Sequence, residues 1–324
     1  MSLTSQLRDK DSPVRQFFTE FENKDGAKNC LALLQSSTLI QPLQFTPSST
    51  AVQAIIGTTT DYLIRYTANG NTLQFDNTIA AKALARADLI PVLASQAAVP
   101  HLENLLKIGK QNLNGIIASD YKAIYSATAL TLMDNFYRSN MLPRLFLEPL
   151  KMEKKEIIKK SEGKSLKEKT TKYLFNEYFE SLGGEFYAND ISNLLQLFAK
   201  GIEDPKSELF LAKIVASNRT LENSVLVHGA DFDCIIDSRN RFVLTDIKTT
   251  TKPLTIDHLR QIMSYALLYD EKHDDFKFSD IGIYHARSGS FRSMPMESMF
   301  KMSLPSFKSV ATARKAFIAA IKNT

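Results

Sequence analysis

Between residues 225 and 248 the apolar and polar positions fall into the pattern of two short strands. Val225, Leu226 and Val227 open an apolar segment, and Phe232, Cys234 and Ile236 then alternate with Asp231, Asp233, Ile235 and Asp237. A period of two marks a strand with one buried face. Asp237-Ser238-Arg239-Asn240-Arg241 supplies turn chemistry, and Phe242 to Lys248 reads as the partner strand of a hairpin. The period then lengthens to that of a helix, with Ile256, Leu259, Ile262, Met263, Ala266 and Leu267 on a core-seeking stripe. His258, Gln261, Tyr265 and Leu268 share another face, because residues three or four apart are neighbours on a helix.

Elsewhere helical patterns dominate. Val14 to Phe21 and Ala27 to Leu34 lie in a helical segment over 1–45, and a further helix is expected over 50–67. Asn69-Gly70-Asn71 is a turn signal. From about Asn77 to Asn218 the clearest long helices are Ile116 to Tyr137 and Leu166 to Leu182, the latter stopped by Gly183-Gly184. Strands are expected from near Ser224, and Phe307 to Ile321 reads as a terminal helix with Val310, Phe317 and Ile321 inward. No internal repeat or low-complexity block interrupts this order.

The hairpin also carries the chemistry. Asp246 and Lys248 are two apart on one strand, so both side chains emerge on the same face. Strand pairing can bring Asp233 or Asp231 beside them, and Asp233 is preferred because a strand-like Cys-Ile-Ile run follows it. A charged trio on apolar strands is costly to bury without a counter-ion, and a divalent cation would supply one. Magnesium favours hard oxygen ligands, and two carboxylates with a backbone carbonyl leave room for a substrate phosphate. A bound metal lowers the pKa of water and stabilises charge on an attacked phosphate. Lys248 would add charge near that water or a phosphoryl oxygen, with Gln261 and Tyr265 turned toward the strand ends. The plainer reading makes Asp246 and Lys248 an ion pair at a strand end.

These residues resemble the motif of the PD-(D/E)xK nuclease superfamily. Asp233 matches the first acidic position, Asp246 the second and Lys248 the lysine; Gln261 and Tyr265 match the Gln-x-x-x-Tyr helix of its RecB-type and phage-exonuclease-type branch. Ala or Phe stands before the first acid where the family pattern has Pro. The resemblance implies an α/β (α+β) chain with a restriction-endonuclease-like αβββαβ core. It implies a nuclease that uses Mg2+, or Mn2+ in its place, with Asp233, Asp246 and the Ile247 carbonyl on the metal and Lys248, Gln261 and Tyr265 in catalysis. On this view 46–76 carries the first core helix, 77–222 is a helical insertion, and 223–324 holds the core strands and the Gln/Tyr helix. Ile281 to Arg287 resembles a later core strand, and Asp61, Asp231 and Glu177 are further metal-ligand candidates. The implied partner is nucleic acid, DNA before RNA, with a homodimer or protein partner compatible. The alternative is a non-catalytic nucleic-acid-binding or assembly subunit that keeps the fold.

Composition narrows this little. The 324 residues are 44% apolar and 23% charged, ordinary values for a globular chain, with a net charge of +5 that permits nucleic-acid binding. Two cysteines, Cys30 and Cys234, make neither a disulfide framework nor a zinc motif. No apolar run spans a membrane and the N-terminus lacks a signal-peptide core, so cytoplasm is the expected compartment. The lysine-rich stretch 151–172 reads as a solvated helical face that doubles as the best accessory contact surface for phosphate. His228, His258, Arg287 and Arg292 lie near the motif as lesser candidates. Phosphate-binding Gly-rich loops, Gly-x-Ser-x-Gly elbows and metal-spaced His pairs are absent, which removes support for ATPase, serine-hydrolase and zinc-protease chemistry.

Overall fold

A computed structural model describes residues 3–35, 49–73, 75–84, 92–139, 141, 143, 164–217 and 219–322. It is a mixed α+β chain of two compact units, one formed by Met1–Gln41 with Leu197–Thr324 and the other by Pro42–Gln196.

The first unit is built on a five-stranded sheet in the order β1-β2-β3-β4-β5, which is also the chain order. The strands are β1 Lys213–Ser217, β2 Cys234–Ser238, β3 Arg241–Lys248, β4 Asp280–His285 and β5 Ser290–Pro295. β1, β2 and β3 form an antiparallel meander, β4 lies parallel to β3, and β5 returns antiparallel. The β2–β3 turn is the expected one: Ser238 pairs with Arg241, and Arg239 and Asn240 both take positive φ, as a two-residue type I′ hairpin requires. The parallel β3–β4 pair needs a crossover, and the helix Ile256–Leu268 provides it. Tyr265 and Leu268 of the opposite face are buried as well as the expected stripe, in which Ile256 is half-buried and Leu259, Ile262, Met263, Ala266 and Leu267 are fully covered. Each contributes roughly 2 kcal/mol of burial, apart from the smaller alanine.

The N-terminal helices α1 Leu3–Arg8, α2 Pro13–Phe21 and α3 Lys24–Leu34 belong to this same unit. Ser12 caps α2, whose first residue is Pro13, and Asn23 caps α3. Phe17 packs edge-on against Phe317 at 5.0 Å, and a Cβ on Gly26 would lie 1.8 Å from the Met302 carbonyl oxygen. Glycine is therefore what lets α3 approach the C-terminal helices so closely. The described helices of the segment expected over 1–45 join the apolar core of the sheet unit.

The second unit is helical, with α4 Thr50–Ala68, the short α5 Ile79–Lys82, α6 Val92–Gln111, α7 Tyr121–Ser139 and α8 Lys164–Ser181. The next helix, α9 Gly184–Glu203, runs from this unit into the first. The helix expected as the first core element is α4, and it belongs here. Thr59 meets Thr131 at 3.0 Å, and Tyr62 donates to Asp134 at 3.3 Å, tying α4 to α7. Two other expectations shift. β1 lies inside the stretch expected to be helical, and Val225–Val227, expected to open a strand, form the end of the 3-10 helix Glu222–Val227. Residues 151–163 of the lysine-rich stretch lie outside the described residues.

Among the described residues no helix is long and apolar enough to cross a membrane.

Candidate active site

The site residues gather where β3 ends beside the crossover helix, which is α10 in chain order. Leu244, Asp246 and Lys248 alternate onto one face of β3, and Leu244 lies in the apolar core that α10 covers. The same face, followed outward, presents Asp246 and then Lys248. Asp246 is only 2% exposed, and its Oδ2 lies 2.5 Å from the Lys248 ammonium. Apart from that ion pair, Oδ2 has no hydrogen-bond partner among the described residues.

Cys234 pairs with Thr245 at the end of the antiparallel register, and Asp233 stands in the bend one residue before it. There the Asp233 carboxylate accepts the Ile247 backbone N–H at 2.7 Å. From α10, Gln261 Oε1 accepts from Lys248 Nζ at 3.2 Å, and Gln261 Nε2 donates to the Tyr265 hydroxyl at 3.0 Å. An ammonium only donates, so it fixes which end of the Gln261 amide faces Lys248. Burial alone would lower the Lys248 pKa, but the charges of Asp246 and then Asp233 outweigh it and raise the pKa above the usual lysine value.

The five residues expected to act together are thus linked: Asp233 to β3, Asp246 to Lys248, Lys248 to Gln261, and Gln261 to Tyr265. The further acids are not part of this group. Asp231 pairs with Thr220 in an isolated bridge and accepts its hydroxyl at 2.9 Å. Asp61 lies on α4 in the helical unit, ion-paired with Arg65 one turn along. Glu177 is exposed on α8. Among the described residues no cluster of three or more His, Cys, Asp or Glu side chains is arranged to share a metal ion. Asp233 and Asp246 are the acidic side chains of this group.

Of the lesser candidates, His228 is a left-handed turn residue that ends the 3-10 helix, and Arg292 pairs with Glu208 at 3.0 Å. Arg287 donates to the Thr249 carbonyl at 3.1 Å, bracing the chain just past Lys248. His258 sits at the start of α10, where its Nδ1 accepts the Thr255 N–H at 3.0 Å. Burial first, and then the Lys248 charge, press its pKa down to about 4.

Lys248, Gln261 and His258 open onto a cavity of about 480 Å3. Arg8 of α1 and Lys252 of the β3–α10 loop also line it. The sequence reading missed both, because a lone arginine on a two-turn helix and a lysine in a loop carry no pattern of their own.

No family model matches the chain, and no curated protein matches it.

Proposed function

We propose that this chain is a Mg2+-dependent nuclease of restriction-endonuclease-like fold that hydrolyses phosphodiester bonds, with DNA as the favoured substrate. The observation that carries the reading is the pairing of Lys248 with the buried Asp246 while Asp233, just before β2, is held by the Ile247 N–H between them. The order of three antiparallel strands, the helix α10 and a strand parallel to β3 supports it, as does the Gln261–Tyr265 pair on that crossover helix.

The donor set suits a hard cation. Asp246 Oδ2 is buried with only an ammonium to balance it, so a dication has a ready oxygen ligand there. Asp233, Asp246 and the Ile247 carbonyl would hold Mg2+, or Mn2+ in its place. When bound, the ion would activate water and offset charge on the attacked phosphate.

The protein's own groups do the rest. Lys248 places a positive charge where negative charge builds on the phosphoryl oxygens, in a partly buried setting that strengthens it. Gln261 holds that ammonium by its amide oxygen, and Tyr265 holds the amide in turn. The Ile247 N–H fixes the Asp233 carboxylate, so its orientation does not depend on a flexible partner.

Incubating the protein with plasmid, linear duplex, single-stranded DNA and RNA, with Mg2+ or Mn2+, tests the reading. Metal-dependent cleavage that disappears in Asp246→Asn and Lys248→Ala is the expected result. Absence of cleavage of all four substrates, or undiminished cleavage in Lys248→Ala, would overturn it.

A further inference from the structure

The cavity beside Lys248 has a composition that the hydrolytic residues do not explain. Its volume of about 480 Å3 is within the usual range for small-molecule sites. Three separate pieces of chain converge on it: Arg8 from α1, Thr250 and Lys252 from the β3–α10 loop, and Thr255, Asp257 and His258 from the start of α10. The one carboxylate among these is already balanced, since Asp257 Oδ1 lies 2.8 Å from Arg15 and 3.0 Å from Arg260. Arg8 and Lys252 have no ion-pair partner among the described residues, and both are exposed. They leave the cavity cationic.

His258 adds a donor that carries no charge. Its Nδ1 accepts the Thr255 N–H, which puts the ring proton on Nε2. Burial first, and then the Lys248 charge, keep the ring neutral at ordinary pH. A neutral N–H and two hydroxyls beside two uncommitted cations is a set of groups suited to a phosphate diester, with its single charge and several acceptor oxygens.

We infer that this cavity seats a second phosphate of the bound strand, the one next to the phosphate attacked at Lys248, with Arg8 and Lys252 as its cations and His258 as a neutral donor. The inference rests on the nuclease reading, because it takes a polynucleotide as the ligand. The cavity shares Lys248 and Gln261 with the hydrolytic group, so a strand crossing the site meets both in succession. Contacts on a flanking phosphate position a strand without reading its sequence.

Binding without turnover separates this inference from the hydrolytic one. A fluorescein-labelled single-stranded DNA oligonucleotide is titrated in EDTA, at several salt concentrations, with wild type and with Arg8→Ala/Lys252→Ala. The double variant is expected to bind about tenfold more weakly and to flatten the slope of log affinity against log salt by roughly 1.4, the share of two single-strand phosphate contacts. Lys301→Ala/Lys308→Ala removes the same charge from exposed positions that do not line the cavity and is expected to change neither quantity. His258→Ala is expected to weaken binding, and His258→Gln to restore it, since Gln supplies both an acceptor for Thr255 and a donor. Equal losses in the two double variants, no loss in either, or no oligonucleotide binding by wild type would overturn the inference. The hydrolytic reading is judged separately, by metal-dependent cleavage.

Discussion

The Asp233 carboxylate accepts the backbone N–H of Ile247 at 2.7 Å. That bond joins the acid before β2 to the residue between Asp246 and Lys248. It holds a carboxylate beside the charged end of β3 by main-chain geometry. Asp233→Asn keeps an acceptor for the same N–H and removes the charge. It is expected to fold with an unchanged Tm in EDTA while losing metal-dependent cleavage by on the order of a thousandfold, measured as single-turnover rate.

Gln261 connects Lys248 to Tyr265. Gln261→Ala frees the ammonium to move, and a misplaced group of this kind costs on the order of a hundredfold in kcat. Tyr265→Phe leaves the Lys248–Gln261 bond in place and should cost about tenfold or less. Equal losses for the two variants in steady-state cleavage would mean that Tyr265 acts on its own account and not through Gln261.

Lys248→Ala leaves the carboxylate of Asp246, 2% exposed, without its ion-pair partner. Removing one partner of a buried pair costs about 3 kcal/mol or more. Thermal melts in EDTA should show that loss, and Lys248→Ala/Asp246→Asn should recover most of it. Added Mg2+ is expected to raise the Tm of Lys248→Ala more than that of wild type, because the cation takes over the role of the ammonium. Identical melting of wild type and Lys248→Ala in EDTA would contradict the buried pair.

Glu22 anchors the N-terminal helices to α10. Its side chain is 2% exposed and lies 2.5 Å from Arg260 Nη2, with a second bond to Arg260 Nε at 2.9 Å. A bidentate buried pair of this kind is strong when intact and costly when halved. Glu22→Ala is expected to lower stability by about 3 kcal/mol in urea denaturation. A change below about 1 kcal/mol would mean that the contact contributes as little as an exposed pair.

His258 gives a stability–pH signature. Its folded pKa, about 4, lies below the unbound value of 6.5, so the unfolded chain takes up a proton first as pH falls. The stability contributed by the neutral ring is therefore present above pH 6.5 and lost as pH drops toward 4. The difference in stability between wild type and His258→Gln should shrink or reverse across that window. A difference independent of pH would show that the ring titrates as it does in water.

The hairpin and its following helix were legible because each obeys a single period. β3 alternates, α10 repeats its stripe, and Arg239-Asn240 falls where a two-residue turn must. From those alone the Asp246–Lys248–Gln261 face could be drawn. Partner choice was not legible. α4 buries residues on several faces, from Val52 and Ile55 to Tyr62 and Arg65, so its pattern did not say whether a sheet or another helix would cover it. β1 is five residues long with half-exposed positions, too weak a signal to stand out from helical neighbours. The roles of Arg8 and Glu22 depend on α1 and α2 docking against α10, a tertiary event with no local trace in either segment.

The central claim is that Asp233 and Asp246 share a hard dication next to Lys248. Anomalous diffraction from crystals soaked in Mn2+ tests it directly. The account predicts a peak bounded by the Asp233 and Asp246 carboxylates and the Ile247 carbonyl, lost in crystals of Asp246→Asn. A peak held by other side chains alone, or none in crystals saturated with Mn2+, would contradict it.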